Sequence, residues 1–293
     1  MNIRDLRYLV AVAEHRHFGR AAEACHVSQP TLSTQLKKLE ETLGVVLIER
    51  TNRQVMLSNV GERIVDQAHR VLREVNQLVN IAEQHRDPFG GDFRLGVIPT
   101  VAPYLLPKIL GPVRKAFPQL RIQLNEGQTH QIVSRLKQGE LDALILALPV
   151  EEENVITRAL YREPFLFTVS SSHRLAGRKQ VGVDDMDGER VLLLEDGHCL
   201  RDQALDVCEA HNAVENTNFR ATSLETLRQM VRADVGITLM PELAVSKTAG
   251  VRYIPFKGSK ESVPHRDVGL CWRNTSTRTE LLEQLAELLK RLL

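Results

Sequence analysis

Cysteine is scarce in this sequence. The sequence also contains neither clustered metal ligands nor a long apolar run. Four cysteines in 293 residues are too few for a disulfide framework, and no Cys and His residues are spaced as zinc ligands. Apolar runs such as residues 143–148 are too short to span a membrane, and the first residues lack the basic and apolar regions of a signal peptide. We therefore predict a cytoplasmic protein without membrane association and without a bound metal or other cofactor.

A strong charge of either sign is also lacking. The formal net charge is +1, and residues 1–86 contain 12 Lys and Arg against 10 Asp and Glu. This balance does not by itself indicate a nucleic-acid-binding protein, so such a function must depend on a local motif. The hydrophobic content of 43% and the charged content of 26% are typical of a globular protein, and the length allows two or three domains.

The first 58 residues have the pattern of a helix-turn-helix. Apolar residues recur at helical spacing up to about His15, and a second short helix is predicted over residues 20–24. In the third helix Ser28 is a typical N-cap and Pro30 suits the first turn. Its predicted buried stripe consists of Leu32, Leu36, Leu39 and Leu43.

The exposed start of this third helix is suited to the major groove of DNA. Short polar side chains there can reach base edges, while basic side chains beside them hold phosphates. The predicted DNA contacts are Gln29, Pro30, Thr31, Ser33, Thr34, Lys37, Arg50 and Arg53. Residues 45–50 and 54–57 are predicted to form two short strands, a wing beside the helix. The alternative is an ordinary solvated helix face.

A long helix is predicted from Asn59, as N-cap, to about His85, with Glu62 completing a capping box. Its apolar positions are spaced by three and four, as in a coiled coil, and are Ile64, Ala68, Val71, Val75, Leu78 and Ala82. A second copy of the chain is the expected partner, and packing on its own domain is the alternative. Residues 87–92 are rich in Pro, Gly and Asp, so we place a domain boundary there.

Strands and helices alternate in the remaining residues. Strands are predicted at 93–98, 120–125, 141–148, 165–169, 191–194, 218–221, 235–239, 251–254 and 268–271. Two α/β halves of this kind enclose a cleft at the carboxyl ends of their strands. The predicted domains are residues 1–58, the linker helix 59–86, and a regulatory domain 87–293. We divide the last into subdomains of 87–162 plus 268–293 and of 163–267.

Cys199 lies at the predicted first turn of a short helix that follows a turn at Gly197 and His198. The positive end of a helix dipole stabilises a thiolate, which is the reactive form of cysteine. Cys208 follows nine positions later, about 13.5 Å along a continuous helix. A disulfide requires Cα atoms about 4.4 to 6.8 Å apart, so the pair could join only if the helix unwound, as a switch. The alternative is two buried, unreactive thiols.

Residues 27–50 resemble the winged helix-turn-helix of LysR-type transcriptional regulators. The residues that carry the resemblance are Val27, Ser28, Gln29, Pro30, Thr31, Leu32, Ser33, Leu36, Lys37, Leu39, Glu40, Leu43, Gly44, Leu47, Glu49 and Arg50. The later residues resemble the periplasmic-binding-protein-like effector domain of the same family. The expected fold class is therefore α/β, a two-subdomain effector half preceded by an all-α-type winged helix-turn-helix.

Residues 98–107, 128–131, 194–204 and 219–227 resemble the hydrogen-peroxide-sensing members of that family. The resemblance implies that peroxide oxidises Cys199, that Cys208 resolves it as a disulfide, and that glutaredoxin or thioredoxin reduces the disulfide again. The resemblance places Thr100, Thr129 and Arg266 around the peroxide, and we add His198, Arg201 and Asp202 because they flank Cys199 in the sequence. Without the resemblance, the alternatives are a helix cap for each Thr and a solvated surface charge for Arg266.

The resemblance implies an activator of antioxidant genes rather than an enzyme. It would bind double-stranded operator DNA as a homotetramer built from homodimers and would act on RNA polymerase. One alternative is a LysR-type regulator that binds a small metabolite in the cleft between its subdomains. A thiol peroxidase or a Cys and His hydrolase is a second alternative, which the predicted DNA-binding domain disfavours.

Overall fold

The computed structural model describes residues 1–50, 55–211, 213–259 and 262–293. The chain divides into two compact units, Met1–His85 and Arg86–Leu293, and each is described by itself. Within the described residues, no helix has both the length and the apolar character needed to cross a membrane.

The first unit begins with three helices, α1 (Ile3–His15), α2 (Phe18–Ala24) and α3 (Gln29–Leu43). Asn2 and Asp5 form a reciprocal capping box at the start of α1. The predicted N-cap of α3 is confirmed, because the Ser28 hydroxyl accepts a hydrogen bond from the Thr31 amide at 3.3 Å. The helix ends at Gly44, whose φ of 70° is the left-handed conformation that glycine adopts without strain.

A short antiparallel hairpin follows, formed by β1 (Ile48–Arg50) and β2 (Val55–Leu57). The Glu40 carboxylate of α3 anchors it, because Oε1 accepts from the amides of Leu47 at 2.8 Å and Ile48 at 3.2 Å. The predicted wing strands are therefore confirmed. The turn predicted at residues 51–53 lies outside the described residues.

The long helix α4 (Asn59–Arg86) begins one residue earlier than predicted. Asn59, which we predicted as the N-cap, is already helical, and Ser58 is the capping residue instead. The Ser58 hydroxyl accepts from the Gly61 amide at 3.0 Å and donates to the Val46 carbonyl at 2.6 Å. A Cβ at Gly61 would come within 2.2 Å of the Leu47 carbonyl oxygen, so α4 starts in direct backbone contact with the chain before the hairpin.

The apolar positions of α4 fall into two groups. In the predicted seam, Ala68 is buried within its own unit and Ile64 is half-buried against the core of that unit. Val75 is half-buried, whereas Val71 is 38% exposed and Leu78 is 68% exposed. The side chain of Ala82, the last position of the predicted seam, is outside the described set. Burial within the unit therefore accounts for the beginning of the stripe but not for Val71 and Leu78.

The second unit contains the remaining helices and strands. The helices are α5 (Ala102–Ala116), α6 (Thr129–Lys137), α7 (Cys199–Ala210), α8 (Leu224–Arg232) and α9 (Thr279–Leu292). The strands are β3 (Gly91–Val97), β4 (Leu120–Glu126), β5 (Ala143–Leu148), β6 (Val155–Ser170), β7 (Arg190–Leu194), β8 (Val214–Ala221), β9 (Thr238–Pro241), β10 (Val251–Pro255) and β11 (His265–Arg273). Each predicted strand coincides at least in part with one of these.

One sheet runs in the order β10-β6-β11-β5-β3-β4, with β9 also paired to β6, and β7 and β8 form a separate parallel pair. The strand β6 is 16 residues long, whereas only residues 165–169 were predicted. Its first half was missed because charged residues interrupt the apolar pattern. Two of them, Arg158 and Arg162, form ion pairs with Glu283 and Asp267.

Two hydrophobic cores contain residues of this long strand. The first is formed by residues of β3, β5, β11 and helices α5, α6 and α9, and the second by residues of β7, β9, α7 and α8. Leu160 of β6 belongs to the first core and Phe165 to the second. The two cores mark two subdomains of this unit, and β6 contributes to both.

Candidate functional site

The predicted start of a helix at Cys199 is confirmed. Strand β7 ends at Leu194, the loop turns at Gly197 with a φ of 94°, and Cys199 is the first residue of α7. Every fourth residue of α7 from Leu200 is buried in the second core, namely Leu200, Ala204 and Cys208. This spacing is one face of an α-helix.

The two cysteines of α7 have different surroundings. Cys199 is half-buried and packs against the first core, whereas Cys208 is 2% exposed within the second core. Both are in the thiol form. Because α7 is continuous from Cys199 to Ala210, the two residues are separated by about 13.5 Å of helical rise. A disulfide between them therefore requires α7 to unwind.

The loop before Cys199 touches the first subdomain through Gln128. Gln128 Nε2 donates to the Asp196 carbonyl at 3.4 Å, and a Cβ at Gly197 would come within 2.5 Å of Gln128 Oε1. Thr129, the first residue of α6, follows Gln128. Its hydroxyl is buried and has no hydrogen-bond partner within the described part of the chain. A polar group with unused bonding capacity therefore lies beside this loop.

Thr100 and Arg266, both predicted for the pocket, are in direct contact. Arg266 Nη1 donates to the Thr100 hydroxyl at 2.9 Å, and Nη2 donates to the Thr100 carbonyl at 3.1 Å. Arg266 Nε donates to Glu163 Oε2 at 2.7 Å. Thr100 is 3% exposed, Arg266 2% and Glu163 1%, so this is a buried ion pair with a threonine on its other side.

Sequence reasoning missed Glu163. It lies directly opposite Arg266 in the antiparallel pairing of β6 with β11, yet the two residues are 103 positions apart in the chain. The only local signal is a carboxylate between Arg162 and Pro164, just before a short apolar run. That pattern does not reveal which residue faces it across the sheet.

Two further buried polar groups were not predicted. Gln203 lies four residues after Cys199 and therefore on the same side of α7, and its Oε1 is buried without a hydrogen-bond partner among the described residues. The Tyr161 hydroxyl of β6 is also buried without a hydrogen-bond partner among the described residues. Burial raises the pKa of Tyr161, the Glu163 carboxylate raises it further, and Arg266 acts in the opposite direction. Tyr161 is therefore a neutral hydroxyl.

His198, the residue before Cys199, is 5% exposed. Burial lowers the pKa of its imidazole, and Glu195, whose carboxylate is 3.9 Å away, opposes this change. Because the main cause is burial, the imidazole is neutral at neutral pH. A neutral imidazole can accept a proton on one nitrogen and donate a hydrogen bond from the other.

Arg201 and Asp202, also predicted for the pocket, lie on the first turn of α7. Arg201 Nη1 donates to the Leu194 carbonyl at 3.2 Å, and Nη1 and Nη2 donate to the two Glu215 oxygens at 2.8 and 3.0 Å. Its Nε lies 2.9 Å from Asp196 Oδ1. These bonds raise the pKa of Arg201 and lower that of Glu215. Arg201 thus fastens the loop before Cys199 to β8, while Asp202 is exposed on the first turn of α7.

The predicted DNA-contacting surface is located at the start of α3. Gln29, Pro30, Thr31, Thr34 and Lys37 are exposed and Ser33 is half-buried, while Leu32, Leu36 and Leu39 are buried beneath them. Arg50 lies in β1, but its side chain is outside the described set, and Arg53 is outside the described residues. The described residues therefore present a polar helix start next to a lysine.

Comparisons with known proteins match LysR-type regulators over nearly the whole chain. Residues 3–62 match the family "Bacterial regulatory helix-turn-helix protein, lysR family", and residues 86–293 match the family "LysR substrate binding domain". The DNA-binding transcriptional dual regulator OxyR of Escherichia coli K12 is 51% identical over 293 residues, covering 99% of this chain and 95% of the relative.

Solved structures of OxyR proteins are also similar to this chain. Full-length OxyR C199D from Pseudomonas aeruginosa is 37% identical, with a TM-score of 0.72, covering 99% of this chain and 95% of its own. Crystal structures described as the oxidized and the reduced form of OxyR are 46% and 44% identical, each with a TM-score of 0.64, covering 70% of this chain and 97% of theirs. The similarity includes both units of the chain.

Proposed function

Because the chain belongs to the LysR family of bacterial regulators, we propose that it activates transcription in response to hydrogen peroxide through Cys199 and Cys208. Its relatives in Escherichia coli and Haemophilus influenzae, at 51% and 47% identity, bear the name hydrogen peroxide-inducible genes activator. The observation that carries the proposal for the two cysteines is their arrangement. A half-buried cysteine begins α7, and a second cysteine of the same helix lies in the other core.

DNA recognition depends on the start of α3. The exposed polar side chains of Gln29, Thr31 and Thr34 suit base edges, and Lys37 suits a phosphate. Binding should weaken as salt rises, because each phosphate contact releases counterions from DNA. The hairpin β1–β2 is fixed to α3 through Glu40, and Arg50 and Arg53 are proposed as further phosphate contacts.

The first chemical step is oxidation of Cys199. Its thiolate attacks one oxygen of hydrogen peroxide, so that an S–O bond forms while the O–O bond breaks. The sulfur loses two electrons and becomes a sulfenic acid, and the departing hydroxide takes a proton to leave as water. Thr100 and Thr129 are the proposed donors to the peroxide oxygens. His198, which is neutral, can transfer a proton beside them.

The second step is disulfide formation with Cys208. The Cys208 thiolate attacks the sulfenic sulfur, an S–S bond forms, the S–O bond breaks, and hydroxide leaves as water after taking a proton. This step requires α7 to unwind and Cys208 to leave the second core. A dithiol reductant of the glutaredoxin or thioredoxin class would return both residues to thiols.

We propose that the structural change is transmitted through subunit contacts. The exposed Val71 and Leu78 of α4 suit pairing with a second copy, and two such dimers would form a tetramer on two DNA half-sites. Refolding of α7 would alter the arrangement of the subunits and so the contact with RNA polymerase. The protein would act in the cytoplasm, where the DNA is.

The decisive experiment is peptide mass spectrometry after a brief micromolar peroxide pulse, without reduction. Trypsin cuts after Arg201 and Arg220, so Cys199 and Cys208 fall in different peptides, residues 191–201 and 202–220. We expect these two peptides to be joined in the wild-type protein and not in Cys199→Ser or Cys208→Ser. If both thiols remain alkylatable after the pulse, the redox proposal is wrong, and a metabolite in the cleft becomes the better hypothesis.

A further inference from the structure

We infer that Glu163 is a positioning residue for the reaction of Cys199 with peroxide, acting through Arg266 and Thr100. The inference rests on the proposed function and extends it to a carboxylate outside the predicted pocket. It comes from the buried chain of hydrogen bonds in which Glu163 accepts from Arg266 and Arg266 donates to Thr100.

Glu163 is fixed at both of its oxygens. Oε2 accepts from Arg266 Nε at 2.7 Å, and Oε1 accepts from the Leu243 amide at 2.8 Å. Leu243 belongs to the short 3-10 turn that follows β9, and Glu163 itself is in β6. The carboxylate therefore holds Arg266 from the sheet that connects the two subdomains, and it is 1% exposed.

This contact determines which edge of the guanidinium faces Thr100. The guanidinium is a planar group whose five N–H donors have a fixed geometry. Nε and Nη2 both face Glu163 Oε2, each at 2.7 Å, and Nη2 also donates to the Thr100 carbonyl at 3.1 Å. Nη1 is thereby left for the Thr100 hydroxyl, at 2.9 Å. Without the carboxylate, Arg266 could rotate and both bonds to Thr100 would change together.

The same contact determines the donor role of Thr100. A hydroxyl has one hydrogen to donate and two lone pairs with which to accept. Because Arg266 occupies one lone pair, the Thr100 hydrogen is directed away from Arg266 and is available to a peroxide oxygen. Glu163 thus turns the Thr100 hydroxyl into an oriented donor, which can aid cleavage of the O–O bond only if it is in place before the reaction.

The charge of Arg266 is an independent reason why a carboxylate is needed at position 163. An arginine that is 2% exposed has lost its hydration, and a buried charge without a counter-ion is strongly unfavourable. Glu163 neutralises it, so the site can contain a guanidinium without an excess positive charge. Replacing the carboxylate by an amide would leave the size almost unchanged and remove both the charge and one of the two acceptor oxygens.

The test measures Cys199 oxidation in full-length protein that carries Cys208→Ser, so that only the first step is observed. The rate of peroxide-dependent thiol loss is compared with the rate of iodoacetamide alkylation. We expect Glu163→Gln to slow the peroxide reaction about 10-fold, below the roughly 10²-fold that a misplaced reacting group can cost. Alkylation, which uses neither Thr100 nor Arg266 as an oriented donor, should change less than twofold.

Three variants separate positioning from general damage. Glu163→Asp retains the charge and should recover part of the peroxide rate. Adding Glu163→Gln to Arg266→Gln should cause no further loss, because two residues in one chain of contacts are not additive. The matched control is Glu283→Gln, which breaks another Arg–Glu pair of β6, that with Arg158, and should leave both rates unchanged.

The outcomes distinguish this inference from the proposed function. If the Cys208→Ser parent reacts with peroxide no faster than an ordinary cysteine, the proposed function fails. If the parent is fast and Glu163→Gln equals it, or slows alkylation as much as peroxide oxidation, the inference about Glu163 is overturned. Should Glu163→Gln lack a cooperative thermal transition, the Glu163→Asp rates decide, since the shorter carboxylate should slow the peroxide reaction alone.

Discussion

The helices α3 and α7 both begin with a predicted functional residue, but they are held in different ways. Helix α3 has a side-chain cap at Ser28 and a glycine in the left-handed conformation at its end. Helix α7 has 12 residues, and its N-cap residue His198 makes no side-chain capping bond within the described structure. A helix of that length is marginal by itself in water, so α7 depends on contacts with other elements.

Those contacts are polar at one end of α7 and apolar along its length. Arg201 fastens the start to Glu215 and Asp196, whereas Leu200, Ala204 and Cys208 pack in the second core. The difference between the helices fits their proposed roles, because a DNA-reading helix must persist and a redox switch must be able to unwind. Four substitutions or conditions test whether the two helices differ in this way.

The largest effect is expected for Arg201→Met. Removing one partner of a buried ion pair costs about 3 to 5 kcal/mol, and we expect about 3 kcal/mol here because Glu215 keeps Arg220 at 3.4 Å. Denaturant unfolding of the wild type and the variant measures this loss in the free energy of unfolding. Arg220→Met, at the more exposed partner of the same carboxylate, is the control and should cost less than about 1 kcal/mol. Equal losses would show that Arg201 is not the anchor.

Acid should release the same anchor. The Arg201 hydrogen bonds hold the pKa of Glu215 below its ordinary value. A depressed carboxyl pKa adds stability above the unfolded value, about 4.3, and this stability is lost as the pH falls through the folded pKa. We expect the difference in melting temperature between wild type and Glu215→Gln to be large at pH 7 and to shrink below about pH 4. A difference that grows on acidification would contradict this assignment.

A smaller effect is expected at α3 from Ser28→Ala. Loss of an N-cap side chain costs about 1 kcal/mol, which should lower the stability of the DNA-binding unit and weaken operator binding in a gel-shift assay. Ser28→Asn retains a capping oxygen and should restore both. The peroxide crosslink of Cys199 and Cys208 should be unaffected in either variant, and a change there would mean that α3 is not independent of the switch.

The smallest effect is expected at Asp206, an exposed residue of α7. Alanine favours a helix by about 1 kcal/mol relative to glycine, with Asp between them. Asp206→Ala should therefore slow peroxide-induced crosslinking and Asp206→Gly should speed it, each by about two- to threefold. Stopped-flow mixing followed by acid quench and mass spectrometry gives the rates. Identical rates in the two variants would mean that unwinding does not limit disulfide formation.

Local signals in the sequence were sufficient for the helix boundaries at Ser28 and Cys199. A capping hydroxyl, a turn glycine and apolar spacing act within a few residues, so they are visible in the chain itself. The same holds for Leu32, Leu36 and Leu39 of the predicted stripe of α3, whereas its last member, Leu43, is only half-buried. The assignment of the cap to Asn59 was wrong by one position, because the Ser58 hydroxyl also bonds to Val46, a contact that spacing does not reveal.

The electrostatic contacts could not be predicted in this way. Arg201 was assigned to the pocket because it is near Cys199 in sequence, yet its charge is used by Glu215 on the neighbouring strand. Glu163 meets Arg266 only when β6 pairs with β11. In each case the partner is chosen by sheet register, and register depends on the whole fold rather than on any short segment.

Hydrogen exchange of the α7 backbone in the reduced and the peroxide-treated protein shows whether α7 unwinds when the disulfide forms. We predict that amides of residues 203–208 are protected when Cys199 and Cys208 are thiols and lose protection when the disulfide is present. Helix α8, which Ser223 caps, should stay protected in both and serves as the internal control. If the disulfide forms while the α7 amides remain protected, the account of a helix that must unwind is wrong.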